Sequence, residues 1–141
     1  NSKQKKPESP VSYQQWAICV IDDLIEFTGV KSIDYKDFYL PLLMNNLKNP
    51  HSELRQAAAY GIGVLAKHGG KTFEQFLADN IPTLVAIIQD SNSRNAENIY
   101  ATENAISAVT KIIEFNGGMV CLFLLNCLFV NSMEIDHIFS I

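Results

Sequence analysis

The chain matches itself when it is moved 41 positions along its own length. Gln15, Trp16 and Ala17 fall on Gln56, Ala57 and Ala58, while Ile21, Leu24 and Gly29 fall on Ile62, Leu65 and Gly70. The same offset puts Leu40 and Pro41 on Ile81 and Pro82, Leu43 on Leu84, and Leu47 on Ile88. Two separate segments therefore share one stride. An offset of 44 carries Ala57, Ile62 and Leu65 onto Ala101, Ile106 and Val109, and the polar loop Asp90–Asn95 has room for the three extra residues. Periods of about 40–47 residues are those of solenoids built from helix pairs. One such pair cannot bury its apolar stripe alone, so pairs stack and each covers its neighbour.

Within each period the apolar spacing is helical. Val11 to Phe27 carries Trp16, Val20, Ile21, Leu24, Ile25 and Phe27, and Thr28-Gly29 closes it with a C-terminal glycine. Asp34 to Lys48 repeats the pattern through Phe38, Leu42, Leu43 and Leu47. Asn49 is placed to cap the next helix, with Pro50 in its first turn, where the missing N–H costs nothing. That helix ends near Lys67, at His68-Gly69-Gly70. A fourth runs from Thr72 to Gln89 with a bend expected before Pro82, and a fifth from Ala96 to Phe115, stopped by Asn116-Gly117-Gly118. No segment alternates at period two, so no sheet is expected.

The chain thus reads as all-α, an α-solenoid. Residues 12–28 form an inner helix. Residues 34–68 form one repeat (outer 34–48, inner 50–68), and residues 72–115 form the next (outer 72–89, inner 96–115). Residues 1–10 read as a flexible lead-in, and 117–141 as a divergent apolar tail outside the repeat register. Gly61 and Gly63 in mid-helix cost about 1 kcal/mol each against Ala. Small residues at these points let inner helices approach closely, which offsets that cost.

Composition narrows the function. Of 141 residues, 11 are Lys or Arg and 15 are Asp or Glu, a net charge of −4. A mildly acidic chain is poorly suited to clamping phosphates, so no nucleic-acid partner is expected. The longest apolar run, Val120–Val130, contains Asn126 and falls short of the roughly 20 residues that span a bilayer, so no membrane partner is expected. Three cysteines, with Cys121 and Cys127 six apart, give neither a disulfide framework nor zinc-ligand spacing. The odd count and the lack of an N-x-S/T acceptor point to a reducing compartment.

Other motifs have plain structural readings. Gly61-Ile-Gly63-Val-Leu-Ala66 matches the dinucleotide fingerprint on paper. That chemistry needs a strand before the glycines and free N–H groups at a helix start, whereas Arg55–Tyr60 is already helical. Asp22, Asp23 and Glu26 have no His or Cys companion that would make a metal site. They read as a solvated acidic face or as a patch facing a basic partner. His51, His68 and His137 lack nucleophile partners, and His68 suits the negative end of a helix dipole. Trp16 is expected to pack into the solenoid. No catalytic residues, cofactor or metal are assigned.

The run NPHSELRQAAAYGIGVLA, Asn49 to Ala66, resembles the inner helix of HEAT repeats, whose turn residue is followed six positions later by Arg, here Arg55. Asn49 replaces the usual Asp, so the contact to Arg55 is expected to be a hydrogen bond. The segments QWAICVIDDLIEF (Gln15–Phe27), RQAAAYGIGVLA (Arg55–Ala66) and ATENAISAVTKII (Ala101–Ile113) are similar, in order and separation, to the C-terminal region of importin-beta (karyopherin-beta) nuclear transport receptors, in the importin five branch. This resemblance implies an armadillo-like helical protein of nuclear import, located in cytoplasm and nucleus. It implies protein cargo with basic nuclear-localisation segments as a partner. Ran GTPase and nuclear pore proteins would engage the longer parent. A HEAT scaffold of another assembly, such as a phosphatase scaffold, is the competing reading, and neither reading is an enzyme.

Helical register assembles the inner face. Gln15, Cys19, Asp22 and Glu26 lie along the first inner helix, and Gln56, Tyr60, Gly63 and Lys67 along the second. Tyr100, Asn104, Ser107 and Lys111 lie along the third. The expected protein-binding residues are Gln15, Asp22, Glu26, Gln56, Tyr60, Lys67, Tyr100, Asn104 and Lys111. Amides and tyrosine hydroxyls pair with backbone, and the carboxylates attract basic residues.

Overall fold

The computed structural model describes the backbone of residues 10–138 and the side chains of residues 10–118. Five α-helices follow in order: α1 (Pro10–Thr28), α2 (Lys36–Leu47), α3 (Ser52–His68), α4 (Glu74–Gln89) and α5 (Ile99–Ile138). Short 3-10 turns at Gly29–Tyr35 and Lys71–Phe73 join α1 to α2 and α3 to α4. No strand occurs among the described residues. The expected lead-in lies outside them except for Pro10, which opens α1.

The helices form two layers. α3 packs between α1 and α5, giving an inner layer of three, while α2 backs α3 and α4 backs α5. This is an all-α solenoid of stacked helix pairs. The core lies between the layers: Ile18 and Ile25 of α1, Leu43 and Leu47 of α2, Leu54, Ile62 and Leu65 of α3, Leu77 and Leu84 of α4, and Ile112 of α5 are all buried. Leu43 and Leu84, one stride apart, occupy the same place in successive outer helices. Tyr39 and Phe73 meet in the core with ring centroids 6.4 Å apart, and the Tyr39 hydroxyl donates to Ser32 Oγ at 3.2 Å.

The turns carry the period in their backbone. Gly29 has φ +56° and Gly70 φ +79°, the left-handed region that glycine enters without a Cβ clash. They are neighbours in space as well as equivalents in sequence. A Cβ on Gly29 would lie 3.6 Å from His68 O, and one on Gly70 would lie 3.0 Å from Val30 Cγ1. Pro41 and Pro82 sit inside α2 and α4 at exposed positions, and α4 runs without interruption through Pro82.

Several helix ends differ from the sequence reading. α3 begins at Ser52, not Pro50, because Asn49 Oδ1 accepts the His51 N–H (3.0 Å) in a local turn and caps nothing. α5 begins at Ile99, not Ala96. Asn95 Oδ1 accepts the Asn98 N–H (2.9 Å) and Asn95 O accepts the Ile99 N–H (3.0 Å), a cap set ahead of an irregular first turn at residues 96–98. At Asn116 the backbone leaves helical geometry (φ −133°, ψ 30°), where a stop was expected, then resumes and runs on to Ile138. The buried Asn116 side chain explains the break: its Nδ2 donates to Ala66 O at 3.1 Å, satisfying a carbonyl in the last turn of α3.

Candidate protein-binding face

The inner helices touch because their contact residues are small. A Cβ on Gly63 would lie 3.4 Å from Ala108 Cα and 3.2 Å from Lys111 Cδ, so α5 rests directly on α3 there. A Cβ on Gly61 would overlap Asp22 Oδ1 of α1 and come within 2.8 Å of Leu43 Cδ2 of α2. The paired glycines are therefore packing devices in mid-α3, which leaves no free N–H groups for a pyrophosphate.

Polar bonds tie α5 to α3 along their length. Arg55 donates through Nη1 to Asn49 O (2.7 Å) and Pro50 O (2.8 Å), and through Nη2 to Asn98 Oδ1 (2.6 Å). The expected turn-to-Arg hydrogen bond thus ends on backbone carbonyls, and the same guanidinium reaches into the next repeat. Beside it, between the two repeats, lies a cleft of about 390 Å³ bordered by Arg55, Thr83, Asp90 and Asn98. Asn104 Nδ2 donates to Gln56 O at 3.1 Å.

Above Asp22 the inner layer opens into a notch of about 160 Å³, lined by Gln15, Cys19, Asp22, Gln56, Ala57, Tyr60 and Asn104. Five of the nine residues expected from register meet there: Gln15, Asp22, Gln56, Tyr60 and Asn104. Lys111 joins at one side, its Nζ 5.5 Å from the centroid of the Tyr60 ring, a distance at which a cation is attracted by the ring face. Glu26, Lys67 and Tyr100 are exposed and lie outside the notch.

Asp22 departs from the solvated acidic face expected of it. It is 2% exposed, and neither carboxylate oxygen has a hydrogen-bond partner. Burial, and then the neighbouring Asp23, push its pKa up to about 8. Burial also raises the Tyr60 hydroxyl, followed by the negative field of Glu26, Asp22 and Asp23, and raises the Cys19 thiol, with Asp22 and Asp23 adding to it. At neutral pH Asp22 is therefore protonated, and the negative charge beside the notch comes from the exposed carboxylates of Asp23 and Glu26. Among the described residues no group of three His, Cys, Asp or Glu is placed to hold a metal ion, and no helix is long and apolar enough to cross a membrane.

Sequence reasoning missed one surface. Tyr13, Trp16, Val20, Leu24 and Phe27 line the side of α1 opposite Ile18, Asp22 and Ile25, and all are exposed, Phe27 by 86%. Trp16 stacks edge-on against Tyr13 with centroids 5.7 Å apart and is 50% exposed, so it does not pack into the solenoid as expected. The signal was present. α1 carries apolar residues on two faces, and a helix apolar all round is one covered on more than one side. Ile106, set by the 44-residue offset on buried Ile62, is likewise 48% exposed, on the side of α5 turned away from α3.

A HEAT-like repeat model matches residues 52–96, from α3 through α4 into the following loop. Importin subunit beta-3 of Saccharomyces cerevisiae is 36% identical over 98 residues, which cover 70% of this chain and 9% of that protein. A crystal structure of a multiply substituted Kap121p superposes with a TM-score of 0.67 at 33% identity, over 74% of this chain and 11% of that one. The chain belongs to the importin-beta family. A probable importin-5 homolog of Dictyostelium discoideum is also 36% identical, over 100 residues that cover 68% of this chain and 9% of that protein. Importin-4 of Mus musculus is 29% identical over 83 residues. The chain spans about a tenth of the length of these importin relatives.

Proposed function

We propose that this importin-family segment forms part of a nuclear import receptor's cargo-binding trough, which takes protein cargo carrying basic nuclear-localisation segments. Binding here is noncovalent and no reaction is catalysed. In the longer parent, Ran GTPase and nuclear pore proteins are the further partners, and the receptor moves between cytoplasm and nucleus. The observation that carries this reading is the polar strip on α1, α3 and α5. Gln15, Gln56, Tyr60 and Asn104 line one notch between these helices, and Glu26 stands exposed on α1 one turn from Asp22. An extended chain is matched by such a face: amides pair with its backbone, and the exposed Asp23 and Glu26 attract its cations.

The test is fluorescence anisotropy of a labelled lysine-rich peptide against the 141-residue chain. Saturable binding is expected that weakens as salt rises and falls with Glu26→Lys, an exposed position. Equal binding of a neutral peptide, or indifference to both salt and Glu26→Lys, refutes the assignment.

A further inference from the structure

The carboxyl group of Asp22 is buried without a partner in the fold. Both oxygens are buried without a donor, although Gln15, Gln56, Tyr60 and Asn104 stand around the notch above them. A buried, unpaired acid costs several kcal/mol unless it is neutralised or paired. Gly61 is the residue that makes room for it, because any side chain there would displace it. A cation arriving from outside would supply the partner that the fold itself does not.

We propose that the notch over Asp22 is a seat for the ammonium of one lysine side chain presented by a bound polypeptide. The inference rests on the trough reading above and names the group that the trough grips. The notch, about 160 Å³, has the size for the end of one long side chain. Gln15, Gln56 and Asn104 each bring an amide carbonyl able to accept the ammonium protons that Asp22 leaves over. The oxygens are covered in the free chain, so entry swings one of the long lining side chains aside. The other charged or titratable groups around the site are Cys19, Asp23 and Glu26 on α1, Tyr60 on α3 and Lys111 on α5, while α2 presents apolar Leu43. Lys111 lies over the Tyr60 ring and makes no bond to Asp22. The chain's own nearby cation therefore does not occupy the seat.

Seating the ammonium exchanges one cation for another. Free Asp22 holds its proton at neutral pH. When the lysine enters, the O–H proton leaves to solvent and the carboxylate pairs with the ammonium. The test follows the Asp22 carboxyl carbon by NMR across pH, with Nα-acetyl-lysine methylamide as the probe and its Nε-acetylated, neutral form as the control. The charged probe is expected to move the Asp22 titration midpoint from about 8 down toward the ordinary carboxylate range. It should bind about ninefold more tightly at pH 7 than at pH 6, because a proton must leave. The neutral form should do neither. A midpoint that stays put, or moves equally with the neutral form, overturns the seat. If the lysine-rich peptide of the previous section still binds while the midpoint stays put, the seat alone fails and the trough stands. If no peptide binds at any pH, both fail.

Discussion

Replacing Asp22 by Asn isolates the energetic consequence of its burial. In the folded chain the carboxyl holds its proton up to about pH 8, against 3.8 for an ordinary aspartate. Between these values the unfolded chain has released a proton that the folded chain keeps, so folding stability falls as pH rises, by about 1.4 kcal/mol per pH unit. By pH 7 the accumulated loss is about 4 kcal/mol, a ceiling because water entering the notch would reduce it. Asn does not titrate. Its buried amide leaves a pH-independent cost of about 1–3 kcal/mol. The two stability curves should therefore cross: Asp22→Asn equals or falls below the parent near pH 4.5 and exceeds it by pH 7.5. Urea unfolding followed by circular dichroism at several pH values measures both curves. All other carboxylates are common to the two proteins and cancel in the difference. A difference that stays flat from pH 4.5 to 7.5 would refute the reasoning, since it would mean that Asp22 is ionised and solvated in the native state.

Three further outcomes follow from the packing. Arg55→Ala removes the bonds to Asn49 O, Pro50 O and Asn98 Oδ1 and should cost about 2–3 kcal/mol in thermal unfolding; Arg55→Lys should recover little, as an ammonium lacks the guanidinium fork. Gly61→Ala should cost about 1–3 kcal/mol by overpacking against Asp22 and Leu43, and a double-mutant cycle with Asp22→Ala should return part of that loss. Additive losses would show that the two residues do not touch. Trp16, the only tryptophan, should be readily quenched by acrylamide in dilute solution; a protected, blue-shifted emission would contradict the exposed face of α1.

The stride and the turns were legible in the sequence because each rests on a local constraint. Gly29 and Gly70 must adopt a left-handed backbone, and Leu43 and Leu84 must reach one core. The close approach of inner helices was legible at Gly61 and Gly63, since a glycine in mid-helix needs a packing reason. The environment of Asp22 was not. Asp22 and Glu26, four apart on α1, look alike in a string of letters, yet one is buried against Gly61 and the other exposed, because α3 covers only part of that helix. The same cause hid the outer stripe of Tyr13, Trp16 and Phe27: spacing reports that a residue is apolar at helical intervals, not which side of the helix meets a neighbour. The start of α3 was misplaced because Asn49 could equally well cap a helix or close a turn, and only the position of His51 decides between them.

The links between α3 and the repeat that follows it have a physical consequence for how such a trough would let go of a guest. Arg55 with Asn98, Gln56 with Asn104, and Ala66 with Asn116 are joined by bonds to neutral oxygens. Dissolved ions weaken attraction between opposite charges and leave such dipolar links nearly untouched. A rise in ionic strength would therefore loosen a basic occupant while the curvature of the host stayed fixed, so grip and shape are set by separate forces.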